Sequence, residues 1–214
     1  MRKSNLIALA LALLGGAVLA WYYGMNRPGP VTVTPVEQPA EGTPQGDLPG
    51  PYMDITVAGK ANGRIRIDLY EQTAPQHAAQ LKALAEGGQY DGVVFHRVID
   101  GFMAQTGDVQ FGRVGADLRR AGTGGSDRPD LPAEFSDIRF ARGIVGMARS
   151  QDPDSANSQF FIMFAPGDFL NGQYTVVGRV TEGMDVVDTI KRGSGQNGAV
   201  IGEPDRMVSV SVTE

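Results

Sequence analysis

The chain has 214 residues, a formal net charge of −5 at pH 7 and no cysteine. This length fits one domain with additional segments, and an acidic balance without basic blocks disfavours binding to a nucleic-acid backbone. Because no thiol is present, disulfides, thiolate zinc sites and cysteine nucleophiles are all excluded. A chain free of thiols also fits an oxidising compartment.

A hydrophobic segment lies close to the N-terminus. Arg2 and Lys3 precede an uncharged run over residues 6–23, which has three aromatic residues at its far end. As a helix, such a run would be roughly 27 Å long, which matches the hydrocarbon core of a bilayer. Tryptophan and tyrosine favour the interface between membrane and water. We therefore predict that residues 1–26 form an uncleaved membrane anchor.

A cleaved signal peptide is the alternative for this segment, because the small residues within Val18–Ala20 lie near a possible cleavage point. The topology is the same in both cases. Arg2 and Lys3 precede the segment, whereas only Arg27 follows it before Lys60. Basic residues collect on the cytoplasmic side of a membrane, so we expect the remainder of the chain to lie outside the cytoplasm.

Residues 27–51 are predicted to form a linker. Seven of the thirteen prolines fall here, among glycine, threonine, glutamine and glutamate: Pro28, Pro30, Pro35, Pro39, Pro44, Pro49 and Pro51. A segment of this composition buries too little apolar surface to offset its ordering entropy. At the polyproline rise per residue it would reach at most about 75 Å, so it would hold the domain at residues 52–214 away from the membrane.

That domain opens with two alternating stretches, Tyr52–Val57 and Arg64–Leu69. Asn62-Gly63 lies between them and predicts a β-hairpin. Thr73 with Gln76 three residues later predicts a capping box that opens a helix ending at about Glu86. His77 falls on this helix, where we expect it to be solvated.

Short apolar stretches follow along the chain and predict further strands. They lie at Val93–Val98, Gly143–Arg149, Gln159–Phe164, Tyr174–Val180 and Met207–Val212. A second helix is predicted over Met184–Lys191, with acidic residues in its first half and basic residues at its end. Many short strands with glycine-rich turns and only two helices favour a closed antiparallel barrel.

Four segments of the domain mix apolar residues with polar groups in loop-like surroundings. They are Phe95–Gln105, Gly122–Gly125, Gly146–Arg149 and Asn157–Ile162. In content and order they resemble the signature segments of the cyclophilin family, and the resemblance covers residues 52–214. It implies an eight-stranded antiparallel barrel capped by two helices, which catalyses rotation about the peptide bond before proline.

The resemblance also implies roles for individual residues. Arg97 would be the catalytic arginine, and Gln105 would orient it together with the substrate carbonyl. Ala148 and the backbone of Arg149 would hold the residue that precedes proline, beside a neighbouring subsite bordered by the Gly122–Gly125 turn. The proline pocket would be lined by apolar side chains: Phe102, Met103, Phe161 and Leu170.

The chemistry of the reaction fits these roles. Rotation of an X–Pro bond faces a barrier of about 18–20 kcal/mol, because the amide has partial double-bond character. No bond is broken, so the reaction needs no nucleophile, and we expect neither a metal nor a cofactor. A donor that binds the pyramidal nitrogen of the twisted state more strongly than the planar amide lowers the barrier. A permanently charged guanidinium suits that task.

Three features depart from the pattern of many eukaryotic members. Phe169 stands where they have a tryptophan, and Tyr174 stands where they have a histidine; both remain predicted substrate-binding residues. The first change removes an indole N–H and puts sensitivity to cyclosporin in doubt. The stretch Val109–Ala121 is longer than in compact members and is predicted to be a solvated loop. Bacterial members share these features, so the chain resembles that branch. Together with the N-terminal segment, this leads us to expect a bacterial inner-membrane protein with its domain in the periplasm, or a periplasmic protein if the segment is cleaved.

Two other functions are the alternatives to an isomerase. A membrane-tethered holdase would grip proline-containing segments without turnover, but it would have less need of Arg97 and Gln105. A hydrolase using Ser155 or Ser158 lacks a histidine in the same segment. His96 is predicted to have a structural hydrogen-bonding role. The expected partners are proline-containing polypeptides and the membrane, without nucleic acid, and the domain is expected to be monomeric.

Overall fold

The computed structural model describes residues 49–214. The predicted anchor at 1–26 and residues 27–48 of the predicted linker lie outside these described residues. Within 49–214, none of the helices has the length and apolar character needed to span a bilayer. Gly50 and Pro51, which we assigned to the linker, are hydrogen-bonded to the second strand, since Gly50 N donates to Asp68 Oδ1 (2.7 Å) and Leu69 N donates to Pro51 O (3.0 Å).

Eight strands and two α-helices make up the described part of the chain. In chain order they are β1 Tyr52–Ala58, β2 Gly63–Leu69, α1 Pro75–Glu86, β3 Arg97–Ile99, β4 Met103–Thr106, β5 Ile144–Met147, β6 Phe160–Met163, β7 Val176–Glu182, α2 Met184–Thr189 and β8 Arg206–Thr213. Helix α2 ends two residues before the predicted Lys191, because Ile190 already has an extended conformation. The predicted basic residues at its end therefore lie beyond the helix.

The strands form one antiparallel sheet in the order β3-β4-β6-β5-β7-β2-β1-β8. The sheet curves into a half-barrel, so the predicted closed antiparallel barrel is correct only in part. Its two edge strands are β3 and β8. The residues just before β3 form isolated hydrogen bonds with the start of β8: Phe95 N donates to Asp205 O (2.9 Å), and Met207 N donates to Val93 O (2.8 Å). The predicted strand at 93–98 is consequently regular only from Arg97.

The predicted β1–β2 hairpin is confirmed, with Val57 opposite Gly63. Its connection is residues 59–62 rather than a tight turn at Asn62-Gly63 alone. Asn62 Nδ2 donates to Gly59 O (2.8 Å) and so closes the loop locally. Asp205 supports the loop from β8, because its Oδ1 accepts from Ala61 N (2.9 Å).

The start of helix α1 differs from the prediction. The N-cap is Ala74, no side chain of the helix start caps it, and Pro75 occupies the first turn. The Glu134 carboxylate supplies the cap from a distant loop, accepting from Gln76 N and His77 N at 3.2 Å each. The predicted capping box is therefore wrong. It requires Thr73 as the N-cap, but the helix begins at Pro75 and its N-cap is one residue later, at Ala74.

His77 is fully buried, so the expectation that it is solvated is also wrong. Its Nδ1 lies 2.6 Å from Glu134 Oε2. The helix presents His77 to the loop that carries Glu134, while Ala78, Leu81 and Leu84 pack into the main core. One carboxylate thus joins the helix start, a buried ring and a remote loop.

The apolar interior has two clusters. The larger one lies between α1 and strands of the sheet. The smaller one contains Tyr70, Phe102, Met103, Phe140, Ile144, Phe161, Met163, Leu170 and Val176. Gly146 allows two rings of this cluster to approach, because a Cβ there would lie 2.5 Å from Phe161 and 2.6 Å from Phe140. This smaller cluster is the base on which the candidate site is built.

Candidate functional site

Arg97 and Gln105 are cross-strand neighbours on β3 and β4. Directly opposite residues of an antiparallel pair project to the same face of a sheet, and Arg97 Nη1 donates to Gln105 Oε1 at 3.0 Å. The guanidinium is half-buried, and this burial lowers the pKa of Arg97 from its ordinary value. Because an arginine side chain is not deprotonated in proteins, it keeps its charge.

Gln105 is itself held by a second glutamine. Its Nε2 donates to Gln159 Oε1 (2.9 Å), and Gln159 Nε2 donates to Gly124 O (2.8 Å). Gly124 N in turn donates to the buried carboxylate of Asp108 (3.1 Å), which also accepts from Gly122 N (2.7 Å). A continuous set of hydrogen bonds therefore runs from the arginine to the glycine-rich turn.

The four residues predicted to line the proline pocket lie together in the smaller apolar cluster: Phe102, Met103, Phe161 and Leu170. Phe169 and Tyr174 lie at its rim. The Phe169 ring is 5.4 Å from the Phe102 ring, and the Tyr174 ring meets Phe161 edge-on at 5.9 Å. Arg97 Nη1 lies 3.9 Å from Met103 Sδ, so the charged group borders the apolar pocket.

Ala148 and Arg149 follow β5 on the other side of the pocket. Ala148 N donates to Gln159 O (2.9 Å). The Arg149 guanidinium lies over the Tyr174 ring at 4.4 Å and donates to Gln173 O at 2.8 Å. These contacts occupy the Arg149 side chain and tie the end of β5 to the rim.

A cavity of about 220 Å³ lies next to Gln105. Its walls come from the turn at 122–124 and from residues within 148–150 and 155–159. The Gly122–Gly125 turn therefore borders a cavity, as the sequence predicted for the subsite next to the proline pocket. Serine, threonine, asparagine and glutamine residues contribute to its wall, together with Ala148 and glycines of the turn.

His96 is buried beside this turn, and a Cβ at Gly122 would lie 3.1 Å from its Nε2. Neither ring nitrogen has a hydrogen-bond partner among residues 49–214. Burial lowers the pKa of His96 to about 4, so the ring is neutral at physiological pH. The predicted structural hydrogen bond is therefore not formed. The Asp108 carboxylate and the Val94 backbone favour the protonated ring, but burial outweighs both.

Neither serine of the hydrolase alternative is arranged as a nucleophile. Ser155 Oγ donates to Asp152 O (2.6 Å), and Ser158 Oγ is buried and donates to Gly107 O (2.7 Å). Both hydroxyls therefore have structural partners. Serine nucleophiles need an adjacent general base instead.

Three residues with a place in the site were not singled out from the sequence: Gln159, Asp108 and Asn197. Gln159 lies inside the motif segment Asn157–Ile162, and Asp108 follows the segment Phe95–Gln105 by three residues. Asn197 accepts from the Arg97 guanidinium. Its signal was the Asn-Gly pair within a glycine-rich stretch, which a turn prediction alone does not connect to an arginine 100 residues away.

The described part of the chain is an antiparallel half-barrel with two helices that carries a charged guanidinium at the edge of an apolar pocket. The family model for cyclophilin type peptidyl-prolyl cis-trans isomerases matches residues 52–212. The chain belongs to this family, and it is a peptidyl-prolyl cis-trans isomerase that acts on proline-containing peptides.

Relatives and solved structures agree with this assignment. Probable peptidyl-prolyl cis-trans isomerases of Brucella suis and Brucella melitensis are each 58% identical over 153 residues, which is 71% of this chain and 78% of the relative. A cyclophilin from Hirschia baltica is 26% identical with a TM-score of 0.59, covering 74% of this chain and 72% of that one. A Cryptosporidium parvum cyclophilin type isomerase shares the fold, with a TM-score of 0.64 at 21% identity over 77% and 98% of the two chains.

Proposed function

We propose that Arg97 catalyses the rotation by donating a hydrogen bond to the proline nitrogen as the peptide bond twists. The observation that carries this proposal is the fixed position of the guanidinium, bonded to Gln105 and adjacent to Met103 at the edge of the apolar pocket. In the planar amide the nitrogen lone pair is delocalised. In the twisted state it is localised and accepts a donor, so the hydrogen bond strengthens when the barrier is reached.

The apolar side chains hold the proline ring in this proposal. Phe102, Phe161 and Leu170 are almost fully buried, each with about 5–6% of its surface exposed, and so provide a preformed wall. Covering the ring also excludes water that would compete for the arginine donors. Phe169 and Tyr174 would close the rim of the same pocket.

Gln105 and the end of β5 would position the rest of the substrate. Gln105 is restrained by Gln159, so its amide presents a fixed orientation to the substrate carbonyl. Ala148 and the backbone of Arg149 would hold the residue preceding proline, and the cavity beside the Gly122–Gly125 turn would receive a side chain of the neighbouring residue.

The experiment is Arg97→Ala, with turnover and peptide affinity measured on the same folded protein. Loss of one preorganised donor typically costs about 10²–10³ in rate. We expect about 10² or somewhat less, because amide rotation develops only partial charge on nitrogen. KM should change little, since the apolar pocket survives, which marks an interaction made in the transition state.

Near-wild-type turnover in folded Arg97→Ala protein would overturn this role. The same variant separates an isomerase from a holdase, because a holdase would protect clients from aggregation equally well with and without Arg97. Circular dichroism of the variant establishes that the fold is retained.

We also propose that residues 6–23 anchor the chain in a bacterial inner membrane, with a monomeric domain in the periplasm. The length of the apolar run and the basic residues Arg2 and Lys3 before it support this location. A periplasmic reporter fused to the C-terminus should be active, and a working cytoplasmic reporter there would contradict the topology. If mass spectrometry found a mature chain that starts at Trp21, the segment would be a cleaved signal peptide and not an anchor.

A further inference from the structure

A glycine-rich segment, residues 193–200, runs beside the strand that carries Arg97. Gly193 N donates to Val98 O (2.8 Å), and Val200 N donates to His96 O (3.0 Å). These two bonds lie on either side of Arg97, whose backbone also forms an isolated bridge with Ala199. The segment therefore has a fixed position relative to the guanidinium.

Within this segment, Asn197 is the only non-glycine residue of the described chain with a positive φ, at φ 55° and ψ 29°. Asparagine tolerates the left-handed region better than most residues. This conformation lets two of its atoms face the arginine together. The backbone O accepts from Arg97 Nε (3.0 Å), and the side-chain Oδ1 accepts from Arg97 Nη2 (3.2 Å).

The donors of Arg97 can be counted from these contacts. A guanidinium has five N–H groups in one plane. Asn197 takes the Nε–H and one Nη2–H, and Gln105 takes one Nη1–H. Two N–H groups have no oxygen acceptor, one on each Nη atom, and Nη1 also lies 3.9 Å from Met103 Sδ at the edge of the pocket. Because the plane is held along its Nε edge, these two point away from Asn197.

All three acceptors of these hydrogen bonds are neutral oxygens. Among residues 49–214, no carboxylate forms an ion pair with Arg97. A carboxylate in place of the asparagine amide would hold the side chain equally well but would neutralise its charge. The amide fixes the orientation and leaves the positive charge for the substrate.

We propose that Asn197 is a positioning residue for the isomerase reaction, which orients Arg97 through a two-point contact and directs to the substrate the two N–H groups that have no oxygen acceptor. This inference rests on the proposed catalytic role of Arg97. Asn197 itself does not need to touch the substrate. Its effect should therefore appear in turnover and in the motion of the Arg97 side chain, rather than in the affinity for peptide.

The test uses the full chain carrying Asn197→Gly. Glycine tolerates the left-handed backbone and keeps the carbonyl acceptor, while the side chain that carries Oδ1 is removed. We expect kcat to fall about tenfold, the rate equivalent of one hydrogen bond to a charged group. KM should stay within about twofold of the wild type, since the substrate pocket is unchanged. Cis/trans exchange of a proline-containing tetrapeptide, followed by NMR, gives both constants.

A second readout reports on the arginine directly. The ¹⁵N order parameter of the Arg97 Nε–H should fall in Asn197→Gly, because the plane has lost one of its two fixed points. A residue that only supports the loop would leave this signal unchanged. Gln196→Gly is the matched control, since it adds a glycine to the same exposed turn without touching Arg97, and it should behave as wild type.

Wild-type kcat in folded Asn197→Gly protein, or an unchanged Arg97 order parameter, would overturn the inference. Arg97→Ala, measured in parallel, separates this failure from that of the proposed function. If Arg97→Ala is inactive while Asn197→Gly is fully active, only the positioning role is wrong. If Arg97→Ala is itself active, the catalytic role fails and the positioning role fails with it.

Discussion

The side-chain amides of Gln105 and Gln159 are hydrogen-bonded to each other, with 2.9 Å between Nε2 of the first and Oε1 of the second. Gln105 also accepts from Arg97, and Gln159 also donates to Gly124 O. The pair thus connects the catalytic candidate on β3 to the turn that borders the neighbouring cavity. An amide can do this because it has both a donor and an acceptor.

The first prediction concerns Gln159. Gln159→Ala should lower kcat by about three- to tenfold, because Gln105 loses the partner that fixes its amide, and a neutral hydrogen bond is worth about 0.5–1.5 kcal/mol. Exchange NMR on a tetrapeptide measures the change. Gln89→Ala makes the same truncation at a half-buried position outside the site and should be neutral. Unaltered kcat in Gln159→Ala would show that Gln105 is held without it.

The second prediction concerns Asp108, which is fully buried and accepts backbone N–H groups from two parts of one loop. Oδ1 accepts from Gln110 N and Phe111 N, and Oδ2 accepts from Gly122 N and Gly124 N. Asp108→Asn turns an NH₂ group toward one pair of donors. We expect a loss of about 1–3 kcal/mol in the free energy of unfolding, measured by urea denaturation.

Turnover of Asp108→Asn should also fall, because the 122–124 turn is no longer held against Gln159. Asp117→Asn is the matched control in the same loop. Asp117 is exposed, and within residues 49–214 its carboxylate bonds to Arg119 alone. Exposed positions usually change stability by less than about 0.5 kcal/mol. Equal stability of the two variants would contradict the role assigned to Asp108.

The third prediction is a pH dependence from Glu134. Burial raises the pKa of this carboxyl, but the hydrogen bonds from the His77 ring and from the backbone of His77 and Gln76 outweigh burial and hold the pKa below its ordinary value. A carboxyl with a lowered folded-state pKa stabilises the protein above its unfolded pKa, which is about 4.3 for glutamate. That contribution disappears as the pH falls through the folded-state pKa.

Glu134→Gln should therefore be less stable than wild type at pH 7, by about 0.5–2 kcal/mol as for other lost helix caps. The difference should shrink as the pH is lowered from about 5, since the wild-type carboxyl then becomes protonated. Urea denaturation across this range measures it, with Glu86→Gln at the exposed end of α1 as the control. A difference that is constant with pH would show that the charge on Glu134 does not matter.

The fourth prediction concerns cyclosporin. Phe169 lies at the pocket rim, 37% exposed and in ring contact with Phe102. Phe169→Trp places an indole N–H there, and one added hydrogen bond is worth about 0.5–1.5 kcal/mol, or roughly a two- to tenfold tighter Kd. Calorimetric titration measures the affinity. Phe135→Trp changes another exposed aromatic and should have no effect; the same affinity in both variants would make position 169 irrelevant.

The sequence by itself determined the family, the hairpin at the domain start, most of the strands and the group of residues around the pocket. The residues that form each of these features lie within short stretches of the chain. Such stretches are recognised either by alternating polarity or as motif segments whose residues belong to one site. Strand β4 was not predicted as a separate strand, because Met103–Thr106 is only four residues long and three of its residues are buried, so it has no alternation to detect.

The tertiary structure alone decided the contacts between residues far apart in the chain. Glu134 caps a helix 57 residues earlier, and Asn197 holds an arginine at a separation of 100 residues. No local pattern encodes such pairs, because a capping carboxylate or an amide acceptor has the same local sequence whether or not a partner reaches it. The two partners meet only when the folded sheet brings distant loops together. For this reason His77, which was expected at the surface, is buried beneath the loop that carries Glu134.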